Sequence, residues 1–185
     1  MLSSLPNILT LSRIVAIPVI VALMFVAEGW AAWTALVIYT LACITDWLDG
    51  YLARAQNLVS PVGKFLDPIA DKLLVGALLL VMAGTDRLGF WTLPAAIIIL
   101  LREILVSGLR EFLAGLSVSV PVSQLAKWKT AIQMVALGFL IVGPWGPGRW
   151  PWEMIGGLGL WIAALFTVIT GWDYMITGWK HMNRQ

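Results

Sequence analysis

Long apolar blocks run along this chain, and short polar segments or segments with glycine and proline separate them. The pattern predicts six helices, at 14–27, 31–52, 63–83, 90–113, 124–142 and 153–179. A helix that crosses a bilayer needs about 20 mostly apolar residues. The fold class that follows is an all-α integral membrane protein with six transmembrane helices.

The first ten residues differ from these blocks. Between positions 2 and 10, leucine and isoleucine are interspersed with serine, asparagine and threonine. Such an amphipathic pattern is typical of a helix that lies in the membrane interface. We therefore predict a short N-terminal interfacial helix ahead of the first transmembrane helix.

Composition supports a membrane protein and excludes several site types. Of the 185 residues, 60% are hydrophobic and only 12% are charged, whereas soluble domains carry about 25% charged residues. No polar linker divides the chain, so a single membrane domain over 1–185 is expected. Cys43 has no second cysteine to pair with, and His181 is the only histidine. An internal disulfide, a histidine metal cluster and a Ser-His-Asp triad are excluded, and no nucleic-acid partner is expected.

The positions of the positive residues predict an orientation. Six spans place both termini on one side of the membrane, and ten of the 12 Lys and Arg residues fall on or near that side. Only Arg87 and Arg149 fall on the other side. Because positive residues favour the cytoplasmic side, we expect a multi-pass membrane protein in which this side is the cytoplasmic one. Both termini and the 55–62 loop would face the cytoplasm.

Four aspartates lie near the ends of two apolar blocks, where a charged group is costly. Asp46 and Asp49 are three residues apart, and Asp67 and Asp71 are four apart, so each pair shares one helix face. An all-oxygen ligand set suits Mg²⁺ or Mn²⁺ better than Zn²⁺. Two such cations would balance four carboxylates, and a cation pair can stabilise a transferring phosphoryl group.

Two other interpretations of the aspartates stay open. They could form structural ion pairs with Arg54 and Lys72, or they could mark the ion pathway of a divalent-cation or proton-coupled transporter. Against a transporter, the acids cluster at one membrane face, and no inverted repeat is evident.

The aspartates are part of the longer pattern D-x-x-D-G-x-x-A-R-x8-G-x-x-x-D-x-x-x-D. This pattern resembles the signature of the CDP-alcohol phosphotransferase family, with all its fixed positions present. The resemblance implies transfer of a phosphoalcohol group from a CDP-alcohol to a second alcohol, with release of CMP. It also implies a homodimer. Its fixed positions here are Asp46, Asp49, Gly50, Ala53, Arg54, Gly63, Asp67 and Asp71.

The resemblance also implies roles for individual residues. The four aspartates would hold two Mg²⁺ or Mn²⁺ ions against the diphosphate, and Asp71 would also act as the general base. Small side chains at Gly50 and Ala53 would make room for the cytidine. The lipid donor would contact residues of the signature and three polar residues of the N-terminal segment. The full set is Asn7, Thr10, Arg13, Asp49, Gly50, Ala53, Arg54 and Gly63. An alternative for Asn7, Thr10 and Arg13 is anchoring in the interface.

Three further stretches, at 5–13, 102–111 and 123–130, resemble the bacterial branch of this family that transfers a phosphatidyl group from CDP-diacylglycerol to glycerol 3-phosphate. A small dianion needs cationic partners, and Arg110, Lys127 and Lys129 are the candidates. Arg102 either contacts substrate or pairs with Glu103. Lipid headgroup contact is the alternative role of the two lysines. Serine, inositol phosphate and phosphatidylglycerol remain open as acceptors.

Overall fold

The computed structural model describes residues 5–55, 61–115 and 124–182 of the chain. This part of the chain is helical and contains no strand, as the apolar blocks predict. Its six α-helices are numbered α1 to α6, and a single 3₁₀ turn, Gly143–Trp145, follows α5. The helices are α1 Leu5–Met24, α2 Gly29–Ala55, α3 Pro61–Gly84, α4 Leu93–Gly115, α5 Gln124–Val142 and α6 Trp152–Met182.

The N-terminal region differs from its prediction. One continuous helix runs from Leu5 to Met24, so the predicted interfacial segment and the first span are a single element. No glycine interrupts this stretch, and Pro18 is the only proline after Pro6. Two of the polar residues that suggested an interfacial helix, Asn7 and Thr10, are instead buried in α1.

Three of the described helices are long and apolar enough to cross a membrane: Asn7–Met24, Gln124–Trp145 and Trp152–Ile176. An all-α multi-pass membrane protein is thereby confirmed. The other three, α2, α3 and α4, carry the four aspartates, Arg54 and Arg110 within their helical bounds. The count of six spans stays a prediction.

The chain divides into two compact units. The first consists of Met1–Arg87 with Gly138–Glu153, and the second of Leu88–Leu137 with Met154–Gln185. In the first unit α1 packs against both α2 and α3, around a core that includes Ile20, Met24, Leu78 and Met82. The single domain expected from the sequence stays a prediction.

Arg87 joins two helix ends in the first unit. Its guanidinium donates to the carbonyl of Met24, the last residue of α1, at 3.4 Å, and to the carbonyl of Ile141 near the end of α5. Helix C-termini leave carbonyls without intrahelical partners, and Arg87 satisfies two of them. Burial lowers the pKa of Arg87, and the nearby Glu153 carboxylate opposes that shift.

Small residues permit close approach in the second unit. An added Cβ at Gly157 of α6 would lie 2.5 Å from the Trp91 ring, and one at Gly159 would lie 2.9 Å from the Ala136 side chain. The Trp161 indole also donates to the Trp91 carbonyl at 2.9 Å. These glycines serve helix packing in a spanning segment.

Candidate active site

The polar face of α1 forms one side of the candidate site. Asn7, Thr10 and Arg13 follow one another at intervals of three residues, which keeps them on one face of the helix. All three are buried, and the side chain of Arg13 is 0% exposed. A buried arginine in a membrane helix requires an anionic partner.

Two helices supply those partners. The Thr10 hydroxyl donates to Asp67 Oδ1 at 2.7 Å. The Arg13 Nη1 atom lies 2.6 Å from Asp46 Oδ1 and 2.7 Å from Asp71 Oδ1. The polar face of α1 thus joins Asp46 of α2 to Asp67 and Asp71 of α3. We call these three carboxylates the acidic cluster.

The acidic cluster is buried on one side and accessible on the other. The side chains of Asp46 and Asp71 are 40% and 46% exposed, although the guanidinium that they share is enclosed. One helical turn before Asp46, the Cys43 thiol is hydrogen-bonded with the buried Tyr39 hydroxyl. Cys43 therefore belongs to the packing below the cluster. Their partial exposure leaves Asp46 and Asp71 accessible to solvent.

The structure describes a partner of these aspartates that the sequence did not indicate. Arg13 makes the two described salt bridges to Asp46 and Asp71. Arg54 and Lys72 were the candidates for ion pairs, and because the side chain of Arg54 lies outside the described part of the chain, its pairing stays a prediction. The periodicity of Asn7, Thr10 and Arg13 is the signal in the sequence that indicates a polar helix face. It does not identify which acids that face contacts.

Several predicted site residues lie outside the part of the chain whose side chains the structure describes. These are Asp49, Gly50, Ala53 and Arg54, all in the last part of α2. Gly63, in the first turn of α3, is buried. The proposed contacts of these residues with the donor stay predictions.

The chemistry of the acidic cluster fits a hard divalent cation. Carboxylate oxygens are the ligands that Mg²⁺ and Mn²⁺ prefer, and Asp46, Asp67 and Asp71 supply them from two helices. Among the described side chains, no three His, Cys, Asp or Glu residues converge closely enough to form a ligand set. The side chain of Asp49, the fourth aspartate, is not among the described ones.

A second group of charged residues lies in the second unit, on α4, α5 and α6. Lys129 is 3% exposed, and its ammonium forms an ion pair with Glu103 of α4. Arg102 lies 3.8 Å from Glu103 and donates to the Thr170 hydroxyl of α6 at 2.9 Å. An ion pair with Glu103 was one of the two roles considered for Arg102.

The three candidates for the acceptor phosphate have different surroundings. Arg110 and Lys127 are exposed, whereas Lys129 is buried. Lys127 and Lys129 both belong to α5, where residues two apart do not share a face. Arg110 follows Glu103 by seven residues, which brings both to one side of α4. Arg110 therefore lies on the side of α4 that carries Glu103, the partner of Lys129. Lys127 lies on a different side of α5 from Lys129.

Comparison with known proteins identifies the family. Residues 3–169 match the model of the CDP-alcohol phosphatidyltransferase family. Three bacterial proteins named CDP-diacylglycerol–glycerol-3-phosphate 3-phosphatidyltransferase are similar to the chain. The Rickettsia typhi protein is 49% identical over 94% of this chain and 96% of its own length. The Rickettsia prowazekii protein is 50% identical over 92% of this chain and 93% of its own length. The Bacillus subtilis protein is 37% identical over 96% of this chain and 96% of its own length.

The family match spans most of both units, and the relatives are matched along nearly their whole length. It includes the entire D-x-x-D-G-x-x-A-R-x8-G-x-x-x-D-x-x-x-D pattern and the polar face of α1 that contacts three of its aspartates. On these grounds the chain is a member of the CDP-alcohol phosphatidyltransferase family.

Proposed function

We propose that this protein transfers the phosphatidyl group of CDP-diacylglycerol to glycerol 3-phosphate, giving phosphatidylglycerophosphate and CMP. The names of the similar bacterial proteins support both substrates. The structural observation that carries the proposal is that Asp46, Asp67 and Asp71 all contact the polar face of α1. Carboxylates gathered in this way suit diphosphate chemistry assisted by cations.

Members of the family generally depend on divalent cations. We assign two Mg²⁺ or Mn²⁺ ions to Asp46, Asp49, Asp67 and Asp71. Bound there, such cations would stabilise negative charge on the phosphoryl group during its transfer. Asp71 is our candidate for the general base because its side chain is 46% exposed and can be reached by an acceptor hydroxyl.

The donor site is proposed to include Asn7, Thr10 and the small residues Gly50, Ala53 and Gly63, with Arg54 and Asp49 beside them. Gly50 and Ala53 leave space for the cytidine. The two acyl chains stay in the lipid, so membrane lipids surround the donor as it binds. Arg13 contacts two carboxylates of the acidic cluster, and we give it a separate role below.

The acceptor phosphate is proposed to bind Arg110 and Lys129. An ammonium has three N–H donors, so the ion pair of Lys129 with Glu103 leaves capacity for a phosphate oxygen. Lys127 faces a different side of α5, and we assign it to lipid headgroups. In the proposed reaction, the primary hydroxyl of the acceptor attacks the β-phosphorus of the donor in line.

We further propose six spans, with both termini and the active site facing the cytoplasm of a bacterial inner membrane. The distribution of Lys and Arg along the sequence supports this orientation. A homodimer is proposed from the family resemblance. Crosslinking in native membranes, and labelling of single cysteines from either side, would test the dimer and the orientation.

The reaction is tested by CMP release from the detergent-purified protein with CDP-diacylglycerol and Mg²⁺. Glycerol 3-phosphate, serine, inositol phosphate and phosphatidylglycerol are compared as acceptors, each with and without EDTA. We expect release with glycerol 3-phosphate and its loss in EDTA. Release with another acceptor alone would contradict the substrate, and release that resists EDTA would contradict the cation requirement. A folded protein that releases CMP with none of them would favour a transporter.

A further inference from the structure

We propose that Arg13 is a positioning residue that acts as a tethered counter-ion of the acidic cluster. In this role it holds Asp46 and Asp71 together before divalent cations bind, and it weakens the affinity of the site for those cations. The inference rests on the proposed function in one respect, namely that these carboxylates are the cation ligands.

The geometry places a single positive charge between two helices. One atom, Arg13 Nη1, contacts Oδ1 of Asp46 on α2 and Oδ1 of Asp71 on α3. The two carboxylates therefore lie close enough to repel one another. Arg13 offsets this repulsion, because it is attracted to both at the shortest distances that salt bridges adopt.

Burial determines the side from which Arg13 acts. Its side chain is fully enclosed, whereas Asp46 and Asp71 are each about two-fifths exposed. The guanidinium thus holds the carboxylates from within the protein and leaves their outer sides accessible. A cation from solvent therefore meets the carboxylates rather than Arg13. Because the charge of Arg13 is already paired with two carboxylates, we assign it to the acidic cluster rather than to the donor.

Charge balance gives the consequence for cation binding. Four aspartates, two divalent cations and Arg13 together carry one net positive charge, which suits an anionic diphosphate. Without cations, Arg13 is, among the described side chains, the one that forms salt bridges with the cluster. A buried positive charge beside the ligands also opposes every cation that approaches them. Removal of Arg13 should therefore destabilise the cation-free protein and strengthen cation binding.

The test uses the full-length protein in detergent and Mn²⁺ alone as the probe. Thermal unfolding is measured in EDTA and in saturating Mn²⁺, and Mn²⁺ binding is followed by electron paramagnetic resonance. Arg13→Gln removes the charge, and Arg13→Lys keeps it. Arg87→Gln is the matched control, because Arg87 also joins two helices from a partly buried position, but it bonds to the carbonyls of Met24 and Ile141.

We expect Arg13→Gln to lower the unfolding temperature far more in EDTA than in Mn²⁺. Its half-saturating Mn²⁺ concentration should fall by about tenfold or more, while Arg13→Lys stays close to the wild type in both measurements. Arg87→Gln should lower the unfolding temperature equally with and without Mn²⁺. If Arg13→Gln loses the same stability in both conditions, or binds Mn²⁺ no more tightly, the proposal is wrong.

A second variant covers the case in which Arg13→Gln does not fold. Adding Asp46→Asn removes one of the two carboxylates that lost their counter-ion. Recovery of folded protein or of unfolding temperature in EDTA, relative to Arg13→Gln alone, supports the proposal. Absence of any recovery overturns it, because the loss would then come from packing rather than charge.

Different results would contradict the proposed function and the role of Arg13. A wild-type protein that neither binds Mn²⁺ nor releases CMP contradicts the proposed function, and the comparison in EDTA still decides whether Arg13 stabilises the cluster. A wild-type protein that binds Mn²⁺ and releases CMP, while Arg13→Gln behaves like Arg87→Gln, contradicts the role of Arg13 alone.

Discussion

The Thr10 hydroxyl donates a 2.7 Å hydrogen bond to Asp67 Oδ1 and so joins α1 to α3 across 57 positions of the sequence. Thr10 is buried, whereas Asp67 is partly exposed. A hydrogen bond to a charged group contributes about 1.5–3 kcal/mol. The contact orients a candidate cation ligand from a helix that itself supplies none of the four aspartates.

Replacing Thr10 by valine should therefore destabilise the protein. Valine keeps the shape of threonine but lacks the donor, and water can replace part of the bond at the exposed side of Asp67. We expect Thr10→Val to reduce the free energy of unfolding by about 1–2 kcal/mol and Thr10→Ser to retain most of it. Thermal unfolding in detergent measures both variants. A Thr10→Val variant as stable as the wild type, or a larger loss in Thr10→Ser than in Thr10→Val, would contradict a stabilising role of the hydroxyl.

The proposed base predicts a selective loss of turnover in Asp71→Asn. General base catalysis contributes about 10²–10⁴-fold, so kcat should fall at least about 100-fold. The variant should still fold and bind CDP-diacylglycerol. Asp86→Asn is the control: Asp86 is exposed in the turn after α3 with a φ of 53°, a conformation that asparagine tolerates. Full activity of Asp71→Asn would contradict the assignment.

The proposed acceptor site predicts that Arg110→Ala affects one substrate. Loss of a charge-assisted contact to phosphate should raise the KM for glycerol 3-phosphate by about 10- to 100-fold, with little change in the KM for the donor. Lys127→Ala should change the acceptor KM far less, because Lys127 and Lys129 point to different sides of α5. CMP-release kinetics with each substrate varied in turn measure both values. Equal effects of Arg110→Ala on both substrates would contradict the proposed site.

Close helix packing in the second unit predicts opposite effects at two glycines. A Cβ at Gly157 would overlap the Trp91 ring and the Thr92 side chain, so Gly157→Ala should destabilise by about 1–3 kcal/mol. A Cβ at Gly108 of α4 would meet no atom within 4 Å. Gly108→Ala should stabilise by up to about 1 kcal/mol through helix propensity. Thermal unfolding compares them, and equal effects would show that contact with Trp91 is not the cause.

The sequence predicted the helices well because their ends carry strong local signals. Both ends of α5 were predicted at Gln124 and Val142, where the structure has them. The beginning of α1 was less predictable. Asn7, Thr10 and Arg13 look like an interfacial face when α1 is considered alone, and only contacts with α2 and α3 reveal a buried face.

The candidate site was predictable in its residue types but not in its pairings. The spacing of the aspartates places the two members of each pair on one helix face, and this depends only on the helix that carries them. Pairing with Arg13 depends on how α1 packs against two other helices, which local periodicity does not encode. For Lys127 and Lys129, the helical period alone separates the two side chains, and the proximity of the two lysines in the sequence obscured this.

The arginine that joins Met24 to Ile141 has a consequence for the order of synthesis. The first unit combines an N-terminal segment with Gly138–Glu153, and Arg87 bonds across that gap. During translation, α1, α2 and α3 are complete before Arg87 is made, and Ile141 follows Arg87 by 54 residues. Until then the Arg87 guanidinium lacks one of its two carbonyl partners. Assembly of the first unit is therefore completed late in translation, after most of the second unit's α4 and α5 has been made.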